Sequence, residues 1–204
     1  IAASDELFCY DQEFNLKSSY KNRYLKHAHE ICRMERRIFL SSTGFDSLLA
    51  FNLDTKQFDW GFHLRKEYGQ WSGGTYDPSR NTGPRPVNDF HINMVHVNDD
   101  GIFLSGLKTS GLLYLSPQNT IQIVCELPGG THNPQLWNNG VLFNDTANDC
   151  LRFVPREDVL LTATLEYVKD PSSQSIASVH AATIRISQRS IEAAAEDGDP
   201  GALH

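Results

Sequence analysis

The chain has 204 residues, 40% of them hydrophobic and 10% aromatic, which is enough apolar material for one folded domain. Its formal net charge of −7 argues against a general nucleic-acid binder, because phosphate contacts need a basic surface. No run of about eighteen apolar residues occurs, so no membrane-spanning helix is expected. The four cysteines (Cys9, Cys32, Cys125 and Cys150) are scattered, without the close pairs of a zinc or disulfide framework. They fit a reducing compartment, the cytoplasm. No signal peptide is visible, and the first residue is Ile, which implies a trimmed or processed start. The cluster Arg33, Arg36 and Arg37 reads as a solvated turn rather than a binding patch.

In chain order, the first element is DELFCY, from Asp5 to Tyr10. It resembles DSLLAF, from Asp46 to Phe51, and so reads as the second half of a unit whose first half is missing upstream. The unit itself recurs three times: HAHEICRMERRIFLSSTGFDSLLAFN from His27, HINMVHVNDDGIFLSGLKTSGLLYLS from His91, and HNPQLWNNGVLFNDTANDCLRFVP from His132. Aligned on Ile38, Ile102 and Val141, the downstream halves match without a gap, with Leu48, Leu112 and Leu151 ten residues on. Each copy predicts a histidine-bearing strand, a tight turn, a strand such as IFLS, a polar link and a strand such as LLYLS. Three or four strands per unit, repeated at about forty residues, predict an all-β fold of β-propeller type with about four recognisable units. Leu48, Leu112 and Leu151 are then expected at equivalent, largely buried places.

The second anchor lies 64 residues after the first and the third only 39 after the second (102 − 38, 141 − 102). Most of the excess falls in YGQWSGGTYDPSRNTGPRPVND, residues 68–89, which is rich in Gly and Pro and has no apolar period. It is expected to be a long loop. A lid carrying Trp71, Tyr76, Arg80 and Arg85 over a ligand is one reading, and a surface insertion is the other. Near the end, His180 opens a second half-unit, with Thr183, Arg185 and Ser187 alternating against Ile184 and Ile186. Residues 7–10 are expected to pair with that strand or with a partner chain. The units thus close within 1–190 or form part of a larger propeller, and 191–204 reads as a frayed acidic tail.

In a propeller the first strand of each blade lines the axis, so residues at one repeat position converge there. On that basis His29, His91, His132 and His180 are candidate ligands of a divalent metal, Fe or Zn rather than Ca. Glu30, Asn93 and Asn133 are candidate catalytic neighbours, and His27 joins the lid residues as a candidate substrate contact. The competing reading is that the histidines are kept by duplication for structure or line a substrate site without metal. His63 and His96 fall outside the aligned positions and read as packing residues.

From Lys26 to Pro155 these blocks resemble an uncharacterised, mainly bacterial family of propeller proteins with histidine-led strands and a short DG turn. THNPQLWNNG is similar to that family's His-Ser-Pro-Arg-Trp type motif, with Asn133 for Ser and Gln135 for Arg. The resemblance implies the fold and leaves the activity open. More distant similarities are to calcium-dependent lactonase propellers, whose axial ligands are Glu, Asn and Asp, and to carotenoid-cleaving oxygenases, whose four axial histidines hold iron. They imply that a propeller axis can hold a catalytic metal, with oxygenase- or hydrolase-like chemistry. The resulting expectation is a small-molecule-binding propeller with an enzymatic axial site. The alternatives are a non-enzymatic binding or assembly module, a homo-oligomer, and a subunit whose propeller a second chain completes.

Overall fold

The computed structural model describes residues 1–138 and 140–155, together with the backbone of 182–184. Every regular element among them is a β-strand, arranged in four antiparallel sheets. The first sheet is a meander of β1 (Ala2–Ala3), β2 (Glu6–Tyr10) and β3 (Leu16–Lys21). The second holds β4 (Ile31–Met34), β5 (Arg37–Ser42), β6 (Ser47–Asn52), β7 (Gln57–Glu67) and β8 (Gln70–Tyr76), in chain order. The third runs β9 (Ile92–Asn98), β10 (Gly101–Gly106), β11 (Gly111–Leu115) and β12 (Ile121–Glu126). The fourth runs β13 (Thr131–Trp137), β14 (Gly140–Asp145), β15 (Cys150–Pro155) and β16 (Ala182–Ile184).

The three repeat copies fold alike. The anchors pair with the residues thirteen further on: Ile38 with Phe51, Ile102 with Leu115 and Val141 with Val154. The turn residue eight after each anchor is left-handed in all three, with φ 42° at Asp46, 50° at Ser110 and 49° at Asp149. Strand alternation then sends successive side chains to opposite faces. Leu49 and Phe51 pack back onto the first sheet with Leu7, Tyr24 and Phe58. Leu48 and Ala50 pack forward against Leu113 and Leu115, and Leu112 and Tyr114 pack forward against Val141 and Val154. Each core thus lies between consecutive sheets, and the first strands β4, β9 and β13 run side by side. Leu48 and Leu112 are fully buried, as expected. Leu151 is only half-buried, because its forward face meets no further sheet among the described residues.

Two expectations need correction. Residues 68–89 are not one loop, since Gln70–Tyr76 forms β8, in register with β7 from Glu67↔Gln70 to Gly61↔Tyr76. The hairpin turns on Tyr68 and Gly69, both at positive φ (50° and 81°), as a type I′ turn requires. Its apolar alternation is hidden by glycine: a Cβ on Gly73 would lie 2.2 Å from the Phe62 ring. Second, β2 does not pair with the C-terminal strand. It pairs with β1 and β3, and β16 pairs with β15. A tight turn, in which the Asp11 carboxylate accepts the amides of Glu13 and Asn15, returns the chain as β3 over a much shorter loop than a terminus-to-terminus pairing would close. The tail 191–204 lies outside the described residues, which include no helix long and apolar enough to cross a membrane.

Candidate functional site

The repeat sets the geometry of the site. Extending the alignment upstream without a gap places His29, Asn93 and His132 nine residues before their anchors (38 − 29, 102 − 93, 141 − 132). His27, His91 and Gly130 then share the position two residues earlier, and all three have left-handed backbones, with φ 55°, 55° and 83°. The histidine heads are therefore of two kinds. His27 and His91 recur where the chain turns into the strand, and glycine fills that position in the third copy because it adopts positive φ without strain. His29 and His132 recur one step further in, with Asn93 between them.

Backbone contacts confirm that His29 and His132 are equivalent. His29 Nδ1 lies 2.8 Å from the His27 carbonyl and His132 Nδ1 lies 3.2 Å from the Gly130 carbonyl. A carbonyl only accepts, so each Nδ1 donates, and in the neutral ring the lone pair is on Nε2. A threonine five residues after the anchor flanks each ring: Thr43 Oγ1 is 2.8 Å from His29 Nδ1, and Thr146 Oγ1 is 3.4 Å from His132 Nδ1. Thr43 also donates to the Ile92 carbonyl, tying the first copy to the second.

Asn93 sits at a β-bulge. β9 pairs Met94 with Ser105 and Ile92 with Gly106, so Asn93 has no partner in the register. Bulges re-aim side chains. Asn93 is 6% exposed, and neither its Oδ1 nor its Nδ2 has a protein partner. A buried amide left this way costs free energy unless something else satisfies it. β13 carries the same irregularity between His132 and Gln135, where Asn133 is left-handed (φ 49°).

Glu30 joins all three copies. Its Oε2 accepts the Val95 amide at 3.3 Å, and its Oε1 accepts Gln135 Nε2 at 3.4 Å. Gln135 Nε2 also donates to Asn133 Oδ1 at 2.6 Å. Burial raises the Glu30 pKa, against the lowering effect of these two N–H groups. The His29 and His91 rings stand edge to face, 5.2 Å apart. Burial lowers the His91 pKa, helped by the charges of His29, His132, Lys108 and His27. Three of the other histidines singled out in the sequence, His27, His29 and His132, thus act on His91.

His91 is expected to take up its proton at a lower pH than an ordinary histidine. Its folded-state pKa lies below the unfolded one, so its contribution to stability is full above the unfolded pKa. That contribution is lost as pH falls through the unfolded value towards the folded one. Replacing His29 by alanine should move the His91 titration upward in an NMR titration of ring signals, and an unchanged midpoint would remove the electrostatic link.

The remaining candidates fall elsewhere. Trp71 and Tyr76 are packed β8 side chains: Trp71 lies against Phe90 with Lys66 Nζ 4.6 Å from its ring, and Tyr76 lies against Tyr24. Burial pushes the Tyr76 phenol well up. Arg80 is exposed and paired with Asp77 at 3.0 Å, and Arg85 is exposed. The segment after β8 is tied to residues 22–24, through Asn22 to the Pro78 carbonyl and Tyr24 to the Arg80 carbonyl. The lid reading is therefore corrected for Trp71 and Tyr76, which pack within the second sheet and its flank. His27 lines an open cleft of about 560 Å³ with Lys21, Arg23, Lys26 and Pro86. His63 donates from Nδ1 to the Phe45 carbonyl, and His96 packs on Phe103. His180 lies outside the described residues. Among the described residues, no three His, Cys, Asp or Glu side chains are grouped closely enough to hold a metal ion.

Sequence reasoning missed Gln135, Thr43 and Asp46. The buried Asp46 carboxylate accepts the amides of Asp89, Phe90 and His91 at 2.6–3.2 Å and so fixes the entry into β9. The signal for Thr43 was present, because Thr43 and Thr146 stand at the same distance from their anchors. The sequence matches no protein-family model and none of the curated proteins it was compared with.

Proposed function

We propose that the repeat sheets are blades of a β-propeller and that the chain binds a small polar molecule at the axial end of their first strands. Consecutive sheets packed face to face, with β4, β9 and β13 side by side, support the propeller reading. The observation that carries the site is the buried, unpartnered amide of Asn93, at the same repeat position as His29 and His132. A ligand that hydrogen-bonds that amide offsets part of the cost of burying it.

The same constellation supports an enzymatic role. A half-buried carboxyl with a raised pKa and imidazoles with a free Nε2 are the groups general acid–base catalysis uses. Glu30 is then the proton donor or acceptor, and Asn93 and Asn133 orient the substrate. His29 and His132 fit as imidazole ligands of a divalent ion, but no third ligand joins them among the described residues, so no catalytic step is assigned to a metal. The half-buried forward face of Leu151 favours a second reading, in which a further sheet or a second chain continues the array.

Asn93→Leu separates binding from folding. Leucine has similar volume and no polar atoms, so removing an unsatisfied buried amide should raise stability by about 1 kcal/mol. Ligands found by thermal-shift screening of wild type should lose their stabilising effect on this variant and on His29→Ala. Retained ligand shifts in both variants would place the site elsewhere.

A further inference from the structure

The polar groups of the axial cluster are unevenly matched. His29 and His132 each offer an Nε2 lone pair once Nδ1 has donated to its carbonyl. Asn93 offers Oδ1 as an acceptor and Nδ2 as a donor, and Asn133 Nδ2 and the one N–H of a neutral His91 are further donors. Gln135 Nε2 is already committed to Glu30 and Asn133, and the Thr43 hydroxyl to the Ile92 carbonyl. Glu30 accepts only two long hydrogen bonds, which leaves lone pairs on both oxygens. Its carboxylate has no ion-pair partner among the described residues.

A half-buried carboxylate with two long hydrogen bonds and no ion-pair partner among the described residues calls for a ligand that brings both donors and positive charge. A hydroxyl ligand brings one donor per oxygen and no charge. A carboxylate or phosphate would face Glu30 and the imidazole lone pairs with like-signed atoms. An alkylammonium group carries three N–H donors and one unit of charge, which supplies the counter-charge that Glu30 lacks. A metal ion would match the charge too, but the described side chains do not gather three ligands for one.

Building on the axial-site reading, we propose that the ligand is an organic ammonium: a primary amine whose three N–H groups are received by Glu30, Asn93 Oδ1 and the Nε2 of His29 or His132. The neutral state of His91, favoured by its burial, keeps that ring from adding a competing charge. Lys108 acts on His91 as a like charge, which favours a single ammonium over a cluster of cations.

The test uses the full chain and three probes of nearly equal shape: propylammonium, propanol and propionate, with Zn²⁺ as a fourth titrant. Ring resonances of His29 and His132 are followed by NMR. Propylammonium should shift at least one of them and bind at least about tenfold more tightly than propanol, the equivalent of one charge-assisted hydrogen bond. Glu30→Gln keeps an acceptor for the Val95 amide and should weaken propylammonium about tenfold while leaving propanol unchanged. Asn93→Ala should weaken both.

Equal or tighter binding of propanol or propionate at these rings, or unchanged propylammonium affinity in Glu30→Gln, overturns the ammonium inference while the axial site stands. Zn²⁺ displacing propylammonium from the same rings also overturns it, in favour of a metal. If no probe moves the rings of His29 and His132, the ammonium inference and the axial-site reading fall together.

Discussion

Asp46→Ala should destabilise the protein by about 3 kcal/mol, one of the two largest effects expected of a single substitution here. The carboxylate is fully buried on the turn between β5 and β6. It accepts the Asp89 amide at 2.6 Å, the Phe90 amide at 3.1 Å and the His91 amide at 3.0 Å. Those three consecutive amides lead into β9, so one side chain in the second sheet positions the first strand of the third. Truncation leaves three N–H groups without their acceptor, at about 1–3 kcal/mol for each that stays buried. Asp89 is exposed and Phe90 and His91 are half-buried, so water recovers part of the loss and the lower end of the range applies.

Asp46→Asn should recover only part of this, because its NH₂ group would face the same donors. Burial raises the Asp46 pKa against the effect of the three amides. The folded state therefore holds the proton more tightly than the unfolded one. That contribution is full below the unfolded pKa and is lost as pH rises through the folded value, and it should vanish in Asp46→Asn. Denaturant midpoints, with hydrogen exchange at residues 89–91, measure both effects. A loss under about 1 kcal/mol with protection intact would mean the clamp contributes no more than an ordinary hydrogen bond.

Asp46 also shows where a sequence stops being legible. An aspartate in a TGFDS link looks like any turn residue, and only the fold reveals that it reaches amides more than forty residues away. The strands around it were readable because IFLS and LLYLS alternate faces and recur without a gap. β8 was not, since its glycines remove the apolar period that marks a strand, although they are what lets it lie over Phe62. The site was half legible. Histidine at the head of each copy drew attention to the right strands, but it merged two positions. The recurrence of His27 and His91 reflects a left-handed backbone that Gly130 shares, whereas His29 and His132 share a side-chain geometry that Asn93 interrupts. The ungapped register separates them, and gap-tolerant matching of histidine to histidine hides it.

Gly106→Ala should cost about 3 kcal/mol and disturb the site at the same time. A Cβ at this position would lie 2.5 Å from the Phe90 carbonyl oxygen and 2.6 Å from that of His91. Both are backbone atoms, so no side-chain rotation relieves the overlap. Gly106 also pairs with Ile92 beside the Asn93 bulge, and the two residues after it donate back, Leu107 to the His91 carbonyl and Lys108 to the Phe90 carbonyl. The methyl group therefore pushes the entry of β9 away from β10, breaks those two hydrogen bonds and carries the His91 ring away from His29. Gly129, where a Cβ meets nothing within 4 Å, is the matched control, and its alanine variant should stay within about 0.5 kcal/mol of wild type. Urea unfolding of both variants, together with the ring signals of His29 and His91, tests the argument. If Gly106→Ala is as stable as Gly129→Ala, the close approach of β10 to the His91 backbone does not hold the site. If it is destabilised but the His91 ring signals are unchanged, β10 supports the fold without positioning the histidines.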